Sequence, residues 1–498
     1  MTDRTVTEPA DTGSVPQHAQ PEGVSAANNV VIWLLLSSTF VVFLNETILS
    51  VGIAAIGESF DVPESTSQWV STSFMLTMAV VIPLTGYLIR RFTLRQLYLA
   101  AMGLFTAGTV VAAMTPETLF PMLVGGRVLQ AAGTAIMMPV LMTTLMTLVP
   151  PWQRGRIMGR VSVVMSVAPA VGPVVGGVIL QAFGWHYTFW LVLPISIAAL
   201  VLGALRLRNV TETKRTRLDW LSVPLSAIAF AGLIFGLSSL GEAARGVALL
   251  PPWIPITVGA IFCVLFVARQ LVLQRTDRAL LDLRTFRSRT FTLSVIMFVI
   301  ASMAMFGTII LLPLFAQRAL QLDPALTGAI MLPGGILMAV MAPIVGRVYD
   351  SRGPRVLVIP GALLVSVVLW GFTLLSPATP WWMLLIGSTG LNVGLALMFT
   401  PLFSTALGSL TPDLYSHGSA TISMIQQVAG ALGTAIFVTV LTVQSQALTA
   451  AGADEIEAYA GGTSMAFLAG GVISIALLIS SFFISKPAAS LEAASTRH

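Results

Sequence analysis

The chain has 498 residues, of which 56% are hydrophobic and only 9% are charged, and its mean hydropathy is +0.88. A soluble domain carries about 25% charged residues, so the composition excludes a soluble protein and predicts an integral membrane protein. The net charge of +5 does not indicate a nucleic-acid partner, because the basic residues lie in short loops between apolar segments. The single cysteine, Cys263, excludes an intrachain disulfide, and no metal-binding cluster is indicated.

The predicted membrane spans follow a polar N-terminal segment. Residues 1–28 predict a disordered cytoplasmic tail that lacks the basic start and apolar core of a signal peptide. Fourteen apolar segments then follow, each near the roughly 20 residues that a helix needs to cross a bilayer. Their predicted positions are 30–53, 68–89, 96–114, 118–147, 157–181, 187–206, 219–240, 252–271, 290–314, 326–346, 354–375, 381–406, 418–443 and 463–484.

The basic residues predict the orientation of the chain. With the N-terminus cytoplasmic, 23 of the 26 basic residues fall in cytoplasmic segments. Arg245 and Arg318 fall outside, and Arg127 lies within a span. Cytoplasmic loops of membrane proteins are enriched in Lys and Arg, so both termini are expected in the cytoplasm.

An internal repeat predicts the domain organisation. The segments Gly86–Arg95 and Gly346–Arg355 are basic turns of one length, each opened by Gly and placed between two spans. Two six-span halves around a midplane site are the plan of secondary transporters that work by alternating access. The predicted units are a tail at 1–28, a six-helix half at 29–206, two inserted helices at 207–273, a second six-helix half at 274–485 and a cytoplasmic tail at 486–498.

The fifth span carries small and kinking residues at close spacing. Gly172, Gly176 and Gly177 would let a neighbouring helix approach the backbone. Pro169 and Pro173 each remove a helical hydrogen bond. The pattern indicates a span that moves against its neighbour, although tight static packing would use the same residues.

Two charged residues lie well inside predicted spans, Glu46 in the first and Arg127 in the fourth. A charge at the bilayer centre costs about 2.5–3.5 kcal/mol on insertion scales, so both side chains should face the protein interior. Their backbones are expected to differ in depth by about 8 Å, which two long side chains can bridge. Glu46 is therefore a candidate proton site and Arg127 a candidate coupling residue, unless they form a fixed structural pair.

Other polar residues within the spans are candidates for the substrate cavity. Interhelical hydrogen bonding is an equally good interpretation of such residues. These candidates are Asn45, Gln130, Asn392, Gln426 and Gln427.

Four motifs resemble those of the major facilitator superfamily, and in particular its fourteen-span drug:proton antiporter branch. They are the Gly86–Arg95 turn, the Gly126–Gly133 segment of span 4, the Gly172–Gly177 segment of span 5 and Leu44–Ile48 of span 1. The first-span and turn sequences look closest to the branch containing lincomycin-type exporters, and the chain is also similar to quaternary-ammonium exporters. The resemblance implies an all-α integral membrane protein with the major-facilitator fold, two six-helix halves and two inserted helices.

The chain departs from the family pattern at several positions. Asn45 stands where the first-span motif often has Asp, and the acid follows at Glu46. Arg90 and Thr93 replace the Asp and Gly of the first turn, whereas the second turn keeps its Asp350 and its Gly. The resemblance assigns the cytoplasmic gate to residues of both turns, which are Gly86, Arg91, Arg95, Gly346, Asp350, Arg352, Gly353 and Arg355.

The sequence therefore predicts a multi-pass transporter of the cytoplasmic membrane that exports small amphipathic drugs or antibiotics in exchange for protons. No cofactor is expected beyond the proton gradient, and the expected partners are substrate, protons and lipid, with the chain a monomer. A proton-coupled or facilitated transporter of a metabolite or lipid is one alternative, and a non-transporting membrane sensor is another. Neither a phosphate-binding loop nor a catalytic motif is present, so an enzyme is not predicted.

The orientation can be tested with single cysteines. We expect a cysteine at Ala451 to react with an impermeant maleimide in intact cells, because that loop lies on the side poor in basic residues. A cysteine at Thr213 should react only after permeabilisation. Labelling at Thr213 in intact cells would contradict the predicted orientation.

Overall fold

The structure is a computed structural model that describes residues 25–49, 52–62, 64–209, 218–244, 250–276 and 278–485. The predicted tail at 486–498, Thr213 and most of the predicted tail at 1–28 lie outside the described residues. The prediction of disorder is wrong for residues 26–28, because the first helix begins at Ala26.

The described residues form sixteen α-helices, of which fourteen have at least 17 residues and two are short. In chain order they are α1 (Ala26–Ile48), α2 (Ile53–Ser59), α3 (Glu64–Ser67), α4 (Trp69–Arg91), α5 (Leu94–Ala113), α6 (Phe120–Leu148), α7 (Arg154–Phe183), α8 (His186–Arg206), α9 (Ser222–Ala244), α10 (Trp253–Leu273), α11 (Arg289–Arg318), α12 (Pro324–Arg352), α13 (Arg355–Gly371), α14 (Trp381–Gly408), α15 (Tyr415–Ala450) and α16 (Glu455–Ser481).

The predicted all-α fold is confirmed. Thirteen helices in the described part of the chain are long and apolar enough to cross a membrane. The fourteenth long helix, α7, has 30 residues and packs among them against α1 and α12. Each of the fourteen predicted segments thus corresponds to one long helix.

Some predicted boundaries are wrong. The first span was expected to reach residue 53 but ends at Ile48, after which α2 and α3 form a short helical connection. Gly86 and Gly346 do not open turns, because each lies within a helix, α4 and α12 respectively. The second turn begins at Gly353, whose φ of +79° falls in the left-handed region that glycine tolerates best.

The long helices pack as two groups of six and one hairpin. Helices α1 and α4–α8 contact one another, as do α11–α16, and α9 packs along α10. The main contacts between the two groups are α7 with α12 and α4 with α15, and α9 touches both α4 and α15. This packing agrees with the predicted halves and insertion, although the exact domain boundaries stay a prediction.

Hydrogen bonds between the two groups cluster at one end of the bundle, which we call the basic end. It is defined by the arginine-bearing connections α4–α5, α6–α7 and α12–α13, and the opposite end is called the distal end. Thr143 of α6 and Ser419 of α15 share a hydrogen bond of 2.8 Å, and Ser162 of α7 bonds Thr400 of α14. The two groups are therefore closed together at the basic end.

The α9–α10 hairpin is held by close backbone contact and by polar bonds at its base. A Cβ placed on Gly259 of α10 would lie 2.6 Å from the backbone nitrogen of Leu233 of α9, so only glycine permits this approach. At the basic end, Arg269 donates two hydrogen bonds of 2.7 Å to the Asp219 carboxylate, and Ser222 donates a third. These bonds lower the pKa of Asp219 to about 2, with the Arg269 bonds as the largest cause.

We expect Asp219→Asn to lower the free energy of unfolding of the purified protein by about 1–2 kcal/mol, because it removes a charged two-bond contact. The folded-state pKa of this group is depressed, so its contribution is fully present above the unfolded value of about 4. It should be lost as the pH falls toward 2. Thermal unfolding between pH 7 and pH 3 measures this effect.

The matched control is Glu117→Gln, which removes an exposed carboxylate from a loop at the distal end. It should leave the unfolding temperature unchanged. Equal unfolding curves for Asp219→Asn and the wild type at pH 7 would contradict the stabilising role of the contact.

Candidate transport site

Arg127 is the largest fully buried side chain of the described structure, with 2% of its surface exposed. Its Nε donates to the carbonyl of Val70 on α4 at 3.2 Å, and one terminal nitrogen donates to Oε1 of Gln130 at 2.9 Å. The guanidinium also lies over the ring of Phe74, 4.1 Å from its centroid. Gln130 lies one turn after Arg127 on the same face of α6.

The glycines of the fourth-span motif bring α5 close enough to complete this network. A Cβ on Gly126 would lie 3.0 Å from the carbonyl oxygen of Gly108, and one on Gly108 would lie 2.6 Å from the backbone nitrogen of Gln130. At this separation Gln130 Nε2 donates to Thr109 Oγ1 of α5 at 2.9 Å. Both polar atoms of the Gln130 amide thereby have a hydrogen-bond partner, as buried polar groups usually do.

Glu46 lies in the last turn of α1 and is half-buried. This position is closer to the distal end than the predicted span implied, because α1 ends at Ile48. The Glu46 carboxylate and the Arg127 guanidinium interact through their charges, while the hydrogen bonds of Arg127 go to Val70 and Gln130. The two embedded charges are thus neighbours in the distal half of the bundle.

The span-5 motif contacts the same turn of α1 that carries Glu46. A Cβ on Gly172 would lie 2.1 Å from Thr47 Oγ1, and one on Gly176 would lie 2.5 Å from the carbonyl oxygen of Ile48. Thr47 also donates to the carbonyl of Ala168 at 3.1 Å. The prediction of close helix approach is confirmed at these two glycines.

The same prediction is wrong for Gly177, because a Cβ there would meet no atom of the described residues within 4 Å. Gly177 lies one residue beyond Gly176 and so faces away from α1. Pro169 and Pro173 lie in the same helix, at positions whose side chains are outside the described part of the structure.

The basic end of α7 makes an equally close contact with α12 of the other half. The N–H groups of Gly155 and Arg156 donate to the Asp350 carboxylate at 2.7 and 2.8 Å. A Cβ on Gly346 would lie 2.1 Å from the carbonyl oxygen of Gly155. An anion at the N-terminus of a helix is stabilised by the exposed amides and the helix dipole, so Asp350 joins the halves at this point.

The remaining residues assigned to the gate do not all reach the other half. Arg95 donates to the carbonyl of Ala204, within its own half, at 2.7 Å. Arg355 likewise binds the carbonyl of Ile484 at 2.7 Å. Arg91 and Arg352 are exposed.

Gly86 does face the second half, because a Cβ there would lie 3.2 Å from Nδ1 of His417. His417 also takes part in a contact that the sequence did not reveal. Arg90 Nη1 lies 2.8 Å from Nε2 of His417 on α15. The other ring nitrogen, Nδ1, lies 3.1 Å from the carbonyl of Leu280. Nδ1 therefore donates to Leu280, and Nε2 accepts from Arg90, which requires a neutral imidazole.

This link was missed because its partners are 327 residues apart in sequence. The sequence did hold one signal for this contact, which is that Arg90 stands where the family pattern has Asp. An arginine needs a hydrogen-bond acceptor as its partner, whereas an aspartate needs a donor. The positions of the histidines in the sequence did not indicate that His417 would be this acceptor.

The candidates for the substrate cavity do not form one cluster. Asn45 is buried, and its Nδ2 has no hydrogen-bond partner among the described residues. Gln130 belongs to the Arg127 network. Asn392 donates to the carbonyl of Ser388 on its own helix and packs against Gly334 of α12.

The two glutamines of α15 lie at mid-helix. Gln426 is half-buried. Gln427 Nε2 lies 4.0 Å from the sulfur of Met78 on α4. Gln427 is therefore the candidate that faces the contact between the two halves.

Comparison with known proteins identifies the class to which this fold and these motifs belong. Residues 35–434 match the Major Facilitator Superfamily. The chain belongs to this family of membrane transporters.

Several bacterial relatives are similar over nearly their whole length. The lincomycin resistance protein LmrB of Listeria monocytogenes is 36% identical over 461 residues, which cover 92% of this chain and 96% of the relative. The uncharacterized MFS-type transporter YcnB of Bacillus subtilis is also 36% identical, over 92% of this chain and 95% of the relative. A multidrug resistance protein B homolog of Mycobacterium tuberculosis is 29% identical over 80% of this chain and 73% of the relative.

Solved structures support the fold. The proton:xylose symporter XylE matches with a TM-score of 0.64 at 15% identity, over 94% of this chain and 99% of that chain. The human organic anion transporter MFSD10 matches with a TM-score of 0.63 at 14% identity, over 92% of this chain and 100% of that chain. At these identities the likeness establishes the major-facilitator fold alone.

We expect Gly176→Leu to abolish transport while the protein still inserts and can be purified. A leucine side chain would collide with the Ile48 backbone, and overpacking of this kind typically costs about 1–3 kcal/mol. Efflux of ethidium from cells, normalised to the amount of protein in the membrane, measures the effect.

Gly177→Leu is the matched control, because its Cβ meets open space one residue away. It should keep wild-type efflux. Equal efflux by the two variants would show that the contact between α7 and α1 is not needed for transport.

Proposed function

We propose that this protein exports small amphipathic drugs or antibiotics across the cytoplasmic membrane in exchange for protons, by alternating access. The observation that carries the proposal is the placement of Glu46, a titratable acid next to Arg127 and on the turn of α1 that packs against Gly172 and Gly176. At this position, a change in the charge of Glu46 can act on the contact between α1 and α7. The names of the relatives at 34–36% identity support drugs as substrates.

The proposed proton step follows from the charge balance around Arg127. While Glu46 is ionised, its negative charge offsets the buried guanidinium. When a carboxylate oxygen of Glu46 takes a proton from water on the distal side, Arg127 keeps only its neutral partners, the Val70 carbonyl, Gln130 and the Phe74 ring. An uncompensated buried charge is costly, so protonation favours a rearrangement of α1 relative to α6 and α7.

The conformation fits one stage of such a cycle. If the arginine-rich end is cytoplasmic, as the distribution of basic residues predicts, contacts such as those of Asp350 and His417 close the protein on the cytoplasmic side. The cycle then requires Glu46 to pass its proton to the cytoplasm after these contacts open. The chain is proposed to work as a monomer with both termini cytoplasmic and with the proton gradient as its energy source.

The energy available is adequate for this exchange. One proton moving down a membrane potential of 100 mV releases about 2.3 kcal/mol. Each unit of pH difference adds about 1.36 kcal/mol. Together these terms can drive a substantial concentration gradient of an exported compound.

We expect Glu46→Gln to uncouple export from the proton gradient. Glutamine keeps the size and hydrogen bonding of the protonated acid but cannot exchange a proton. In proteoliposomes, proton release induced by lincomycin or ethidium should fall to the level of protein-free liposomes, while binding of the same compounds persists.

Glu58→Gln is the control, since Glu58 is an exposed acid on the neighbouring helix α2. It should keep wild-type proton release. Persistent proton exchange by Glu46→Gln would make Glu46 a structural partner of Arg127 and transfer the coupling role to Asp350 or another acid near a loop. Absence of lincomycin or ethidium transport by the wild type would favour a metabolite transporter.

A further inference from the structure

A cavity of about 300 Å³ lies between the two halves under the inserted helix α9, and we call it the α9 cleft. Its walls include Ser71 and Met75 of α4, Ser238 of α9, Ile310 of α11 and Thr434 of α15. The first half, the second half and the insertion therefore each contribute a wall. Such a cavity must change shape whenever the two halves move relative to each other.

The α9 cleft lies in the distal half of the bundle. At 1.5 Å per residue, Ser238 is about 24 Å along α9 from its basic end and Thr434 is about 28 Å along α15. Toward the basic end, the contact between Gln427 and Met78 joins α15 to α4. Gln427 precedes Thr434 by two helical turns, and Met78 follows Met75 by one, so both lie below the cavity on the same helix faces.

The lining of the α9 cleft is uncharged. Among the described residues that form it, the polar groups are hydroxyls and one amide, and the remainder are aliphatic side chains, Met75 and Phe235. An ion in such a site would lose hydration without gaining an opposite charge. An uncharged molecule with an apolar body and a few hydroxyl, carbonyl or amide groups could pack its body against the apolar side chains and form hydrogen bonds with the hydroxyls and the amide.

The size and flexibility of the walls also suit a small molecule. Ligand pockets commonly occupy about 300–1,000 Å³, so the cavity is at the small end of this range. Met75 is 46% exposed, and the flexible thioether side chain of methionine adapts to ligands of different shape.

The α9 cleft is separate from the site of the embedded charges. Arg127 contacts the Val70 carbonyl and the Phe74 ring on one face of α4. Ser71 and Met75 follow these residues by one position each and so face another side of the helix. Helix α4 thus separates a charged site from an uncharged one.

We propose that the α9 cleft is a binding site for uncharged amphipathic molecules and that the inserted helix α9 forms its outer wall. The inference rests on the proposed export of small amphipathic compounds and assigns the uncharged ones to this site. It also gives the insertion a role, because the cleft between α4 and α15 would lack one wall without α9.

The test is equilibrium binding of tritiated chloramphenicol, an uncharged antibiotic, to the purified full-length protein in a scintillation proximity assay without a proton gradient. Ser238→Trp and Thr434→Trp fill the cavity from two different helices. Each should weaken binding about tenfold or more, since overpacking and lost contacts of this size cost about 1.4 kcal/mol or more. Val443→Trp, at a position of α15 that is 58% exposed, should bind as the wild type does.

Thr434→Val removes one hydroxyl at nearly constant shape, and it addresses the possibility that a tryptophan variant misfolds. It should weaken binding several-fold while the protein elutes from size-exclusion chromatography as the wild type does. Wild-type affinity in Ser238→Trp and Thr434→Trp, or no binding by the wild type, would overturn the proposal.

Charge selectivity is tested with ethidium, a permanent monocation. It should not displace bound chloramphenicol, and displacement at similar concentrations would overturn the restriction to uncharged ligands. Because binding is measured without a gradient, its outcome is independent of proton coupling. Normal binding by a protein that exports nothing would contradict the proposed function and leave the site intact.

Discussion

The close backbone contacts of α7 are the constraint on which the rest of the structure depends. Near its distal end the helix touches α1 through Gly172 and Gly176, and near its basic end it touches α12 through Gly155. At such contacts there is no room for a side chain, so the helices can slide or tilt but cannot separate without losing their van der Waals contacts. One helix therefore connects the turn that carries Glu46 to the surface where the two halves meet.

The buried guanidinium of Arg127 sets a second constraint, which is electrostatic. Its neutral partners lie on α4 and α6, and the negative charge that offsets it is the Glu46 carboxylate of α1. The network is extended to α5 only because Gly108 and Gly126 allow these helices to touch. A charge held in this way is sensitive to small movements of the surrounding helices, since its partners lie on more than one helix. Packing and charge are consequently linked in the same part of the first half.

Local patterns in the sequence were enough to predict the helices and part of the site. Apolar length gave the fourteen spans, and the charged residues inside those spans gave Glu46 and Arg127 as the embedded pair. Spacing could not distinguish Gly176 from Gly177, because both residues are glycine. Only the position of α1 determines that residue 176, and not residue 177, has no room for a side chain. The contact of Arg90 with His417 and the position of α9 beside α4 depend on distant parts of the chain, so no local pattern could reveal them.

The backbone of Leu280 ties the inserted hairpin to the closure of the bundle. Its N–H donates to Gln270 of α10, which also bonds Ser222 of α9, while its carbonyl accepts from His417. Removing the hairpin would therefore leave a buried amide and disturb the acceptor that Arg90 needs. The two extra helices are not a detachable module, and a twelve-helix protein made by excising them would require compensating substitutions at the junction to keep its closed state.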